Sequence, residues 1–136
     1  MAQSEVVALA FGNAKAERQA IEKLYEDVAT IQRTGPGRKV GAMTLLDYET
    51  VIDGQICGLS YASDGSRQTG AQQDLSYDAV LFIAPELSIL PGDQVIVRRF
   101  GRDNPDSNIL LTFEVVGVPP VYATHQEVRL KASGLS

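Results

Sequence analysis

The chain holds one histidine, His125, and one cysteine, Cys57. A thiolate beside an imidazole makes a nucleophile and its base. Cys57, however, lies between Ile56 and Gly58-Leu59 in an apolar run, where a thiol is expected to be buried and inert. A metal site built on His125 would need clustered carboxylates, and only Glu127 stands near it in sequence. Gly65 and Gly70 have phosphate-loop spacing, but Ala71-Gln72 follows where a lysine and a hydroxyl are required. The stretch 103–108 has the look of a calcium loop. Pro105 takes a ligand position there, and Asn108 stands where a glycine is needed, so a turn is expected instead. Arg98, Arg99 and Arg102 form the only basic cluster, read as a solvated strand edge or a contact for an acidic partner. No catalytic constellation emerges. No cofactor and no metal is expected, and the reading is a binding or structural protein, not an enzyme.

Composition agrees. The chain has 136 residues, 44% of them hydrophobic and 21% charged, which is one domain with enough apolar material for a core. The net charge of −5 argues against a protein that binds nucleic acid by neutralising phosphates. No run approaches the ~18 apolar residues of a membrane span. The first residues carry Glu5 and no basic cluster, so no secretory leader is expected. One cysteine excludes an internal disulfide framework.

The elements divide the chain in two. Residues 1–26 lack proline and are rich in Ala, Glu, Lys and Arg, which predicts a helical segment, most securely over 14–25. Asn13 is placed to cap it, with Glu17, Arg18, Glu22 and Lys23 on the wet side. Residues 27–136 alternate in short β-branched stretches. Strands are expected over 28–33, within 45–62, and over 76–84, 94–100, 109–116 and 124–130. Asp53-Gly54 is either a hairpin turn or a bulge inside one long strand. Leu90-Pro91-Gly92-Asp93 has proline second and glycine third, the requirement of a type II turn. Residues 63–74 contain no large apolar side chain and read as an extended loop. No second helix alternates with the strands. The expected fold is therefore mainly β (α+β), a small antiparallel barrel or sandwich with an N-terminal helix.

Three stretches, in order, resemble one family. They are Leu24-Tyr25-Glu26-Asp27-Val28-Ala29-Thr30-Ile31, then Ile56-Cys57-Gly58-Leu59-Ser60-Tyr61 with Leu81 to Asp93, then Val118-Pro119-Pro120-Val121-Tyr122-Ala123-Thr124-His125-Gln126-Glu127-Val128. Together they resemble the head-to-tail connector proteins of tailed bacteriophages, also called stopper, head-closure or head-completion proteins. The resemblance covers about residues 20–131 and departs near Gly101–Asn108, which is longer than a tight hairpin. It implies a small β-barrel with a helix, assembled as a dodecameric ring in the virion neck after passage through the host cytoplasm. An adaptor or portal ring would lie on its head side, a tail terminator or tail tube on its tail side, with DNA passing transiently through the lumen and no membrane involved. By position, Asp64, Gly65, Ser66, Arg67, Gln68, Thr69 and Gly70 would form the loop that closes the channel. Arg98, Arg99, Arg102, Tyr122, His125 and Gln126 would lie at interfaces. An acidic lumen wall would let DNA slide.

Two other readings stay open at this point. One is a tail terminator. The other is a cytosolic β-barrel module that binds a peptide or small ligand as a monomer.

Overall fold

The structure is a computed structural model that describes residues 14–35, 38–45, 47–62 and 76–133. Among these residues it is mainly β, with one short helix. Helix α1 covers residues 14–22. Eight strands follow: β1 (Asp27–Thr34), β2 (Arg38–Val40), β3 (Met43–Leu45), β4 (Tyr48–Tyr61), β5 (Ala79–Ile83), β6 (Gln94–Arg98), β7 (Leu110–Val115) and β8 (Gln126–Ala132). Six of them close a barrel in the order β1-β4-β5-β8-β7-β6, every pair antiparallel, while β2 and β3 form a separate hairpin. Closure removes the open edges that a sheet this size would otherwise expose.

Period-two alternation does the sorting. On β5, Ala79, Leu81 and Ile83 are buried while Val80 and Phe82 are only partly covered. The same rhythm sends Ala29, Ile31, Cys57, Leu59, Val95, Val97, Phe113, Val115, Val128 and Leu130 into the interior. The Asp53-Gly54 dipeptide proves to be a bulge. β4 is one strand of 14 residues, Gly54 has φ +71°, and the register against β1 slips between Ala29 and Ile31. A glycine in the left-handed region is what such a bulge requires. Gly92, at φ +90°, makes the type II turn expected of Leu90–Asp93, closed by the Asp93 N–H donating to the Leu90 carbonyl at 3.1 Å.

The barrel has two ends. At the Asp27 end β1, β5 and β7 begin, and β4, β6 and β8 finish; at the Thr34 end the reverse holds. Helix α1 links them along the outer wall. Arg18 donates to the Glu86 carboxylate in the β5–β6 connection at 2.6 and 2.9 Å. At the helix's other extremity Arg102 donates to the carbonyls of Glu22 and Tyr25. The last turn tightens, with Leu24 N–H bonded to the Ile21 carbonyl. Arg18 and Glu22 are thus half-buried and bonded to each other at 2.9 Å, not on the wet side as the sequence predicted. The Tyr25 ring lies on Gly58, where an added Cβ would stand 3.0 Å from Cδ1. No helix among the described residues is long and apolar enough to cross a membrane.

Candidate functional site

β1 starts too late to pair with the last residues of β4. Two side chains stand in for the missing backbone. The buried Asp27 accepts the Leu59 N–H at 2.9 Å, and Arg99 donates to the Leu59 carbonyl at 2.7 Å. Asp27 also accepts from Arg99 at 3.0 Å and from the Phe100 N–H at 2.8 Å. A buried carboxylate is tolerable when it is both paired and hydrogen-bonded. The bond to its amide holds Phe100 at φ +62°, the single non-glycine residue with positive φ among those described. Its ring and that of Tyr61 flank the Arg99 guanidinium, with centroids at 4.9 and 5.4 Å.

The basic cluster is therefore bonded within the chain, with Arg98 and Arg99 half-buried and Arg102 exposed. Arg98 donates to the Ser107 carbonyl, Arg99 serves Asp27 and Leu59, and Arg102 caps the helix. The edge reading is corrected for Arg98, which lies on β6 and is paired on both sides inside a closed barrel; Arg99 and Arg102 follow that strand. Residues 103–108 are a turn region, closed by the Ser107 N–H on the Asn104 carbonyl and by Ser107 Oγ on the Arg99 carbonyl.

Beside this node, at the same end, β7 outruns β8. Leu110 and Leu111 lie past the last β7–β8 pair, Phe113 with Ala132. A cleft of about 380 Å³ opens there, lined by Tyr61, Asp78, Leu110, Leu111, Phe113 and Ala132 among others.

The Thr34 end is built differently. Arg33 grips the buried Asp93 through two bonds of 2.9 and 2.8 Å, and Asp93 also accepts the Leu90 N–H at 2.9 Å, which locks the β5–β6 turn. The β7–β8 connection, residues 116–125, contains no Asp, Glu, Lys or Arg. Tyr122 donates its N–H to the His125 carbonyl at 2.7 Å, and the Glu127 N–H reaches the Pro120 carbonyl at 3.1 Å. The Tyr122 and His125 rings stack at 5.1 Å. His125 is held by Thr124 Oγ1 and Glu127 Oε2, each at 2.9 Å. Val118 and Val121 project from this rigid turn, 78% and 60% exposed.

Of the residues expected at interfaces, Tyr122 is exposed and His125 partly so. Gln126 is the correction. It is 1% exposed, and its amide donates to the carbonyls of Ala84 and Leu87 at 2.9 and 2.8 Å, which ties the β5–β6 connection to β8. Cys57 and His125 do not form a nucleophilic pair. Both imidazole nitrogens are committed elsewhere, and burial, followed by the nearby Asp27 charge, pushes the thiol far above its ordinary range. Among the described residues no three His, Cys, Asp or Glu side chains gather into a metal-ligating group. Asp64–Gly70, the expected channel-closing loop, and Asn13 lie outside the described residues.

Apart from Tyr122, which was expected at an interface, the exposed apolar residues are ones that sequence reasoning passed over. Leu24, Tyr61, Phe100, Ile109 and Leu110 are exposed at the Asp27 end. Met43, Tyr48, Leu90, Val118, Val121 and Tyr122 are exposed at the Thr34 end. The uncharged run 116–125 was the available signal for the second set. Comparison with known proteins finds no matching family model, no matching curated protein and no matching solved structure.

Proposed function

We propose that this chain is a structural protein of the tailed-bacteriophage neck. In this reading it forms a dodecameric ring between the portal or its adaptor and the tail, closes the DNA channel after packaging, and offers a surface on which the tail docks. The observation that carries the reading is the segregation of the exposed large apolar side chains, among the described residues, to the two ends of the barrel, as two separate sets of different residues. A ring needs head-to-tail contacts, and those need two unlike patches on one subunit. The ordered resemblance of 24–31, 56–61 with 81–93, and 118–128 supports it. So does the net charge of −5, since a negative wall repels the phosphates of passing DNA.

Within this proposal Asp64–Gly70 is the closing loop. The chain leaves β4 and re-enters β5 at a paired base, Tyr61 with Ala79, at the Asp27 end. Such a base lets a long polar segment extend without unzipping the barrel. Deleting residues 66–72 should leave the barrel folded and let DNA escape from filled heads. Heads that stay sealed would remove the loop from this role. The neck assignment itself is tested by gold-labelled antibody on intact virions. Label is expected at the junction of head and tail. Label confined to the tail tip, or none on any particle, would contradict it.

A further inference from the structure

We propose that the β7–β8 connection of one copy inserts into the cleft at the opposite end of the β7–β8 pair of a second copy. This deepens the ring reading above and names the contact that would build it. The inserted element is the knob of Val118, Val121 and Tyr122; the receiving walls are Tyr61, Leu110, Leu111 and Phe113.

Three observations support a second copy as the occupant. The first is charge. The knob's ten residues include no Asp, Glu, Lys or Arg, and Asp78 is the single acidic residue lining the cleft. Interface cores are depleted in charge and enriched in aromatic residues, as both surfaces here are. The second is size. A cleft of about 380 Å³ is small, near the lower bound of ~300 Å³ for ligand sites, and suits one or two side chains. The third is rigidity. The Tyr122–His125 backbone bond, the Val121–Gln126 bridge and the ring stack hold the knob in shape before it meets anything, which lowers the entropy lost on docking.

The geometry also dictates the kind of assembly. Knob and cleft lie at opposite ends of the same two strands, so one copy cannot satisfy itself, and a pair formed this way leaves one knob and one cleft free. The contact is heterologous and propagates to a closed ring or an open chain.

The test uses the full chain and two single variants, Val121→Asp in the knob and Leu110→Asp in the cleft. Both side chains are exposed in the monomer, so both variants should fold, as circular dichroism and thermal melting would verify. Sedimentation velocity over a concentration series is expected to show wild-type mass growing with concentration. Each variant alone should associate at least about tenfold more weakly. An equimolar mixture of the two retains one intact knob and one intact cleft, and should form dimers that grow no further. Association unchanged in both variants would overturn the inference and leave the ring reading standing on other surfaces. A wild-type chain that stays monomeric to roughly 1 mM would also overturn it. Neither outcome decides the neck assignment, which rests on particles.

Discussion

Asp27 and Arg99 lie 72 residues apart and meet at 3.0 Å, and together they satisfy both backbone groups of Leu59. They close the barrel wall where β1 has run out. Asp27 is buried and Arg99 keeps 22% of its side-chain exposure, so removing the two partners has unequal effects.

Asp27→Ala leaves the amides of Leu59 and Phe100 without an acceptor and Arg99 without its counter-charge. The expected loss is about 3 kcal/mol in urea unfolding, at the lower end for a broken buried pair. Arg99→Met should cost less, since Asp27 keeps its two backbone donors. The double variant should cost less than the sum, because the residues share one network. A loss below ~1 kcal/mol for Asp27→Ala would show that water replaces the carboxylate.

Tyr25 presents the opposite case. Its hydroxyl is buried and has no hydrogen-bond partner among the described residues, while its ring packs on Gly58. Tyr25→Phe keeps the ring and removes the orphaned group, so stability should hold or rise by up to ~1 kcal/mol. Gly58→Ala should cost ~1–3 kcal/mol by pressing a methyl into that ring. A large loss from Tyr25→Phe would mean that the hydroxyl makes a bond after all.

Alkaline stability follows from two protons. Burial first, and then the Glu22 charge, raises Tyr25 to about 12. Burial holds Cys57 well above the ordinary thiol range. In the unfolded chain these groups release protons from roughly 8.5 for the thiol and 10 for the phenol. Above those values the unfolded state binds fewer protons than the folded one, so stability falls with rising pH, by about 1.4 kcal/mol per unit for each group. The contribution is fully present below about pH 8.5. Urea midpoints from pH 7 to 11 should decline, and Cys57→Ala with Tyr25→Phe should flatten the curve. Thiol reagents should label Cys57 only as fast as the chain opens.

Acid acts on the helix. The hydrogen bonds from Arg18 hold Glu86 below its ordinary carboxylate range, so the tie contributes above that range and is lost as pH falls through the lowered value. Glu86 is mostly exposed, so the global effect is small. The expected readout is local. Amide exchange in residues 18–22 should speed up relative to the barrel strands in acid, and Glu86→Gln should reproduce much of it at neutral pH. Equal protection in wild type and variant would contradict the tie.

The mainly β class and the N-terminal helix were legible because they follow from local signals. The alternation of Ala79, Leu81 and Ile83, and the Pro91-Gly92 pair, each satisfy one steric rule within a few residues. Asp53-Gly54 was ambiguous because hairpin and bulge both ask for a left-handed glycine, and only the partner strand decides. The internal partners of Arg98, Arg99 and Arg102 were not legible at all, and those of Arg99 depend on where β1 begins relative to the end of β4. Gln126 was misplaced for a related reason. Its buried amide is acceptable only because the carbonyls of Ala84 and Leu87, about forty residues away in sequence, come to meet it.

The neck assignment is tested most directly by mass spectrometry of density-purified particles from the source, with whole virions, tailless filled heads and free tails analysed separately. This chain is expected in whole virions and sealed heads, in a stoichiometry of about twelve per particle for a dodecameric ring, and absent from free tails. Its presence in free tails would make it a tail terminator, and its absence from all three fractions would contradict a virion role altogether.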